Sequence, residues 1–96
     1  MWDFLKAIQK MQELAEELEK VSIVGVSADG YVRVTISGYQ LLSAVEIDPS
    51  ILGQKEAIER GIVEAFQDAR NKLQQFVMDK LGGTPPPFLP GNIGLG

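Results

Sequence analysis

The chain has 96 residues, enough for one small domain, and its 45% hydrophobic and 23% charged residues exclude wholesale disorder. Cysteine and histidine are absent, so disulfides, thiolate nucleophiles, imidazole bases and the usual zinc and haem ligand sets are excluded. The net charge of −4 argues against an extensive basic surface but is compatible with a local basic patch. No apolar segment reaches the ~20 residues that a membrane-spanning helix needs. These features predict a soluble, non-enzymatic domain, and the lack of cysteine fits the cytoplasm.

Residues 2–20 are predicted to form an amphipathic helix. Apolar residues recur at spacings of four, three, four and three, which places them on one narrow stripe. Leu5 and Leu14 widen the stripe, and Asp3 is expected to cap the helix. The stripe consists of Phe4, Ile8, Met11, Ala15 and Leu18.

Three β-strands are predicted next, over residues 21–26, 31–37 and 42–47. The first is rich in β-branched residues, and the second alternates with Val32, Val34 and Ile36 on one face. The dipeptide at residues 29–30, Asp-Gly, supplies a turn that accepts a positive φ. Strands joined by such short links form an antiparallel meander.

A long second helix is predicted from about Gln54 to Leu81. Asp48 and Pro49 mark the preceding boundary, since aspartate suits a cap and proline suits a first helical position. Gly82 and Gly83 indicate the end of the helix. Residues 84–96 hold four of the five prolines and are predicted to be a mobile tail that folding does not require.

The resulting order, α-β-β-β-α, is an α+β fold. A helix of nearly thirty residues is ~40 Å long, whereas a compact domain of this size has a radius of gyration of roughly 13 Å. The far end of the helix therefore needs a second apolar surface, and another copy of the chain is the natural supplier. The side of the helix predicted to form this dimer interface carries Ile62, Phe66, Leu73, Phe76 and Val77.

Four segments resemble the YbaB/EbfC family of small bacterial nucleoid-associated proteins. Residues 8–13 (IQKMQE) are similar to the family's opening helix, and residues 30–38 (GYVRVTISG) resemble its second strand and turn. Residues 45–49 (VEIDP) match the characteristic Ile-Asp-Pro step out of the third strand. Residues 65–72 (AFQDARNK) resemble the final helix, although glutamine stands where asparagine is common. The resemblance covers roughly residues 5–91.

The resemblance implies a tight homodimer in which helices lie between two outer three-stranded sheets. Each two-layer subunit would then contribute to a three-layer β/α/β dimer. It also implies duplex DNA binding through protruding helical ends, in the cytoplasm and at the nucleoid, with a role in nucleoid organisation or gene regulation. Residues 1–83 are expected to form this dimerisation and DNA-binding domain, and residues 84–96 the tail.

The basic residues divide by their local surroundings. Most have an acidic residue four positions away, and such exposed helical pairs contribute little. Arg70 and Lys80 have no acid three or four residues away, and Lys6 and Lys10 lie four apart on the first helix. An unpaired lysine is most often ordinary surface, so the assignment requires that these residues cluster in the dimer. The predicted phosphate contacts are Lys6, Lys10, Arg70 and Lys80.

Two functions stay open at this point. The first is a DNA-binding homodimer, and the second is an acidic dimeric adaptor or chaperone-like protein whose apolar stripes bind another polypeptide. An enzyme is a remote third, because the chain has no histidine, cysteine or phosphate-binding glycine motif. We expect no catalytic residue, metal, cofactor, small-molecule substrate or membrane partner.

Overall fold

The structure, a computed structural model, describes residues 2–82, so the predicted tail lies outside the described residues. Helix α1 leads into an antiparallel sheet, and a single 3₁₀ turn at Pro49–Ile51 connects the sheet to helix α2. The predicted α-β-β-β-α order is confirmed. Asp3 lies inside the first turn of α1 rather than capping it, because the helix begins one residue earlier. The elements are α1 (Trp2–Lys20), β1 (Ser22–Val26), β2 (Val32–Ser37), β3 (Leu42–Ile47) and α2 (Lys55–Lys80).

Two of the connections around the sheet, between β1 and β2 and between β3 and α2, follow the local chemistry of the sequence. Gly30 has a φ of 81°, as the Asp-Gly turn requires. Asp48 caps the 3₁₀ turn, where its Oδ1 accepts a hydrogen bond from the Ser50 N–H at 2.8 Å. The sheet order is β1-β2-β3, and Val32, Val34 and Ile36 of β2 are fully buried on the face that meets the helices.

Helix α2 approaches the sheet through small residues. Gly61, Ala65 and Ala69 are buried along its inner side. Gly25 of β1 lies directly beneath the helix, where an added methyl group would overlap the Ala65 carbonyl and the Ala69 backbone. Of the large apolar residues predicted on this side, Leu73 and Val77 are buried, whereas Ile62, Phe66 and Phe76 flank the contact and are only partly buried. Close backbone approach therefore decides which face of α2 is buried.

One flank of α2 covers the free edge of β1. The Asp68 carboxylate accepts a hydrogen bond from the Val26 N–H at 2.9 Å, and the Lys72 ammonium donates to the Val24 carbonyl at 3.1 Å. Glu64 accepts from the next exposed N–H, that of Ala28, at 3.1 Å. Unpaired strand edges are templates for pairing with other chains, so these side chains protect the edge.

Removing the Asp68 charge should destabilise the protein in a pH-dependent way. Its hydrogen bonds with the Lys72 ammonium and the Val26 N–H hold the pKa of the Asp68 carboxyl below the ordinary aspartate value. Stabilisation from a lowered pKa is present above the unfolded-state value and is lost as the pH falls through the folded-state value. Asp68→Asn should therefore lower the free energy of unfolding by about 0.5–1 kcal/mol at neutral pH.

Denaturant unfolding at several pH values measures this effect. The difference between Asp68→Asn and the parent protein should shrink between about pH 5 and pH 2. Glu59→Gln is the matched control, because Glu59 is exposed and lies nine residues earlier, on the opposite side of α2. A pH-independent difference, or the same difference in the control, would contradict a role of this carboxylate at the β1 edge.

Helix α1 packs against the domain mainly through its second half. Leu14 is buried, and the Leu18 carbonyl accepts a hydrogen bond from the Gly38 N–H at 3.1 Å. The Tyr39 hydroxyl donates to the Ala15 carbonyl at 3.1 Å. The first half of the predicted stripe is exposed within the protomer, because α2 ends before it can cover these residues.

No helix within residues 2–82 is long and apolar enough to cross a membrane.

Candidate nucleic-acid interface

The two helices meet at one end of the protomer, where α2 finishes against the middle of α1. The Lys80 ammonium lies 3.3 Å from a carboxylate oxygen of Glu17, and it lies 5.5 Å from the centre of the Phe76 ring. A small open cavity of about 110 Å³ lies at this junction. Its lining residues are Lys10, Glu13, Leu14, Glu17, Lys80 and Leu81.

Three of the four predicted phosphate contacts lie near this junction. Lys10 and Lys80 line the same cavity although they belong to different helices. Lys6 is exposed one turn earlier in α1, about 6 Å along the helix axis and on a similar side. The junction therefore brings together cations from both helices, next to the exposed first half of α1.

Arg70 is not part of this group. It lies ten residues before Lys80, which is about 15 Å along the axis of α2 and on a different side of the helix. Arg70 is also half-buried rather than fully exposed. Within residues 2–82 the structure thus brings Lys6, Lys10 and Lys80 to one region and leaves Arg70 apart.

Lys80 has an acidic partner that local spacing does not reveal. The sequence contains no acid three or four residues from Lys80, but the fold supplies Glu17 from the other helix. Both side chains remain nearly half exposed, so the pair is a surface ion pair rather than a buried one. The Lys80 ammonium consequently stays accessible to a second anion.

The predicted dimer interface is only partly available on the protomer surface. Leu73 and Val77 are buried within the protomer, at 5% and 2% exposure, and have little surface left for a second copy. The partly buried Ile62, Phe66 and Phe76 retain some accessible surface.

Two further apolar surfaces lie open, and neither belongs to the residues predicted for the dimer interface. The first is the α1 stripe, defined by Phe4, Leu5, Ile8 and Met11, whose side chains are between 37% and 67% exposed. The second is the open flank, defined by Leu42, Val45 and Val63, whose side chains are between 40% and 57% exposed. The α1 stripe follows the helical pattern of the sequence, whereas the open flank depends on where α2 lies over the sheet.

The open flank results from the position of α2 over the sheet. Val45 pairs with the buried Val34 and therefore points to the helix-covered face. Helix α2 packs over β1 and β2, and leaves Val45 of β3 40% exposed. Val63 is two residues from both Gly61 and Ala65 and therefore lies on the side of α2 that faces away from the sheet. Both α2 and β3 thus expose apolar residues.

The same architecture and sequence features occur in known proteins. A model of the YbaB/EbfC DNA-binding family matches residues 1–85. A nucleoid-associated protein of Xanthomonas oryzae pv. oryzae is 40% identical over 84 residues, which cover 83% of this chain and 79% of that protein. A nucleoid-associated protein of Xylella fastidiosa is 38% identical over 94 residues, covering 88% of each chain. A crystal structure of an uncharacterized Helicobacter pylori protein, 24% identical, shares the fold with a TM-score of 0.65, covering 80% of this chain and 84% of that one. The resemblance seen in the sequence is thereby confirmed: the chain belongs to the YbaB/EbfC DNA-binding family.

Proposed function

We propose that the protein is a nucleoid-associated homodimer of the bacterial cytoplasm that grips duplex DNA through its helical ends, and so organises the nucleoid or regulates genes. The observation that carries this proposal is the meeting of Lys10 and Lys80, from two different helices, around one open cavity. Lys6 extends the basic group along the exposed first half of α1. A dimer would present two such groups to one duplex.

The uncovered apolar surface supports the dimer. The open flank lies beside the α2 residues Ile62 and Phe66, which are themselves only partly buried. A second copy that placed its helices against this flank would bury it and would leave the two sheets outside. That packing has the three layers, β/α/β, that the family resemblance implies.

The charge balance limits how DNA is held. The net charge of −4 per chain opposes DNA at long range, so contact should be confined to the local basic groups. Lysines contact phosphates without reading base sequence, so the binding should depend on salt and little on sequence. Arg70 stands apart from the junction and is the weakest of the four predicted contacts.

A titration of the full chain with a short duplex at about 50 and 200 mM salt tests this function. Binding should weaken as the salt concentration rises. Lys10→Ala/Lys80→Ala should weaken binding to all duplex sequences alike and should flatten the salt slope by about 1 for each lost phosphate contact. Arg70→Ala should change binding less than either lysine variant.

Lys20→Ala/Lys55→Ala is the matched control, because it removes the same charge at the end of α1 and the start of α2. If this control weakened binding as much as Lys10→Ala/Lys80→Ala, net charge alone would explain the effect and the junction would not be the contact. Absence of duplex binding at low salt would instead favour the adaptor or chaperone-like function, which the exposed α1 stripe supports.

A further inference from the structure

We propose that Glu17 competes with DNA phosphate for the Lys80 ammonium, so that α1 carries a built-in restraint on the affinity of the interface. This inference rests on the proposed function and concerns regulation of the same site. Its basis is the ion pair between the two helices together with the second carboxylate, Glu13, which lines the same cavity.

The geometry makes the carboxylate a competitor for the cation that the DNA backbone would use. Glu17 Oε2 lies 3.3 Å from Lys80 Nζ, where a phosphate oxygen would otherwise lie. Glu13 lies one turn earlier on α1 and faces the same cavity as Lys10. A phosphate that approaches either lysine therefore meets two negative charges.

The exposure of the pair determines how strong the restraint is. The side chains of Lys80 and Glu17 are 46% and 45% exposed, so water and salt weaken their attraction. Surface pairs of this kind change an equilibrium constant by about fivefold at most. Lys80 can therefore leave Glu17 for a phosphate, and Glu17 lowers the affinity without blocking the site. Two copies of the site in a dimer would multiply the effect to about 25-fold at most.

A purely structural role for the same ion pair leads to the opposite expectation. If the pair served mainly to fix the end of α2 on α1, removal of Glu17 would loosen the junction and weaken DNA binding. If Glu17 is a competitor, its removal frees Lys80 and strengthens binding. The direction of the change in affinity therefore separates the two roles.

The test compares Glu17→Gln with Glu19→Gln in the full chain by duplex titration over a range of salt concentrations. Glu19 is exposed on the same helix, and its replacement changes the net charge equally. Glu17→Gln should bind about three- to fivefold more tightly per site than the control, and its salt slope should steepen by up to about 0.9 per subunit. Glu13→Gln should give a smaller gain than Glu17→Gln, because Glu17 rather than Glu13 pairs with Lys80.

The Lys80→Ala background tests whether the gain passes through this lysine. Glu17→Gln should give no gain beyond the control once Lys80 is replaced. Equal gains for Glu17→Gln and Glu19→Gln, a gain that persists without Lys80, or a loss of affinity in Glu17→Gln would each overturn the competition. If the parent protein binds DNA and only the gain is missing, the proposed function stands. If neither the parent nor any variant binds duplex at low salt, the proposed function fails and the competition with it.

Discussion

Replacing Gly25 with alanine should lower the free energy of unfolding by about 1–3 kcal/mol, as expected when a well-packed contact is overfilled. The added methyl group would overlap backbone atoms of Ala65 and Ala69 in α2. Backbone of a helix cannot move aside as a flexible side chain can, so α2 must shift away from β1. That shift would also strain the hydrogen bond between Asp68 and the Val26 N–H.

Gly53→Ala provides the matched control for this measurement. Among residues 2–82, apart from Gly53 and its two chain neighbours, no heavy atom lies within 4 Å of the position that a methyl group on Gly53 would take. Its effect should stay within about 0.5 kcal/mol in either direction. Urea unfolding of the parent and both variants compares them directly. Equal stability of Gly25→Ala and Gly53→Ala would show that the contact of β1 with α2 is looser than described.

The sheet could be predicted closely from sequence because its signal is local. Strict alternation in β2 identified Val32, Val34 and Ile36 as one face, and that face is fully buried. Turn chemistry located the connection between β1 and β2, where Gly30 adopts a positive φ, and the connection between β3 and α2, where Asp48 caps the 3₁₀ turn. Period-two patterns and turn residues need no knowledge of distant parts of the chain.

The inner face of α2 was predicted less well, because small residues carry little hydrophobic signal. The apolar pattern favoured the large residues Ile62 and Phe66, which are only partly buried, whereas Gly61 and Ala65 are buried and were not part of that pattern. Their burial depends on the backbone of β1 coming close at Gly25, which is a tertiary property. Asp68 and Lys72, four residues apart on α2, form an ion pair at 2.9 Å, as helical spacing indicates. Both side chains also bind the edge of β1, and helical spacing gives no indication of that.

The candidate site shows the same division between local and distant information. The sequence identified Lys80 as a cation with no acid three or four residues away, and Lys6 and Lys10 as cations four apart on α1. Their grouping depends on how α1 crosses the end of α2. Helical spacing likewise gives no indication that Glu17 is the partner of Lys80, because the two residues lie on different helices. The exposed half of α1 follows from where α2 ends relative to α1, which neither helix pattern specifies alone.

The full chain should be a homodimer at micromolar concentration, and a charge on the open flank should separate it. Val63 is 57% exposed on α2, so an aspartate there costs little in the isolated protomer. In the proposed dimer the same aspartate would be buried in an apolar contact, and the symmetry would introduce it twice. Burial of unpaired charge is costly enough that Val63→Asp should raise the dimer dissociation constant at least about tenfold.

Sedimentation over a concentration series measures this change, with Leu52→Asp as the control. Leu52 is 63% exposed but belongs to the turn before α2, away from the open flank. The parent and the control should sediment at twice the chain mass, while Val63→Asp should shift towards the monomer without losing its helical signal. Ile8 of the α1 stripe is 37% exposed. Ile8→Asp therefore tests separately whether the α1 stripe takes part in the dimer. If the parent protein stays monomeric at about 100 µM, the proposed dimer is wrong. The paired basic groups on which the proposed DNA binding depends would then be wrong as well.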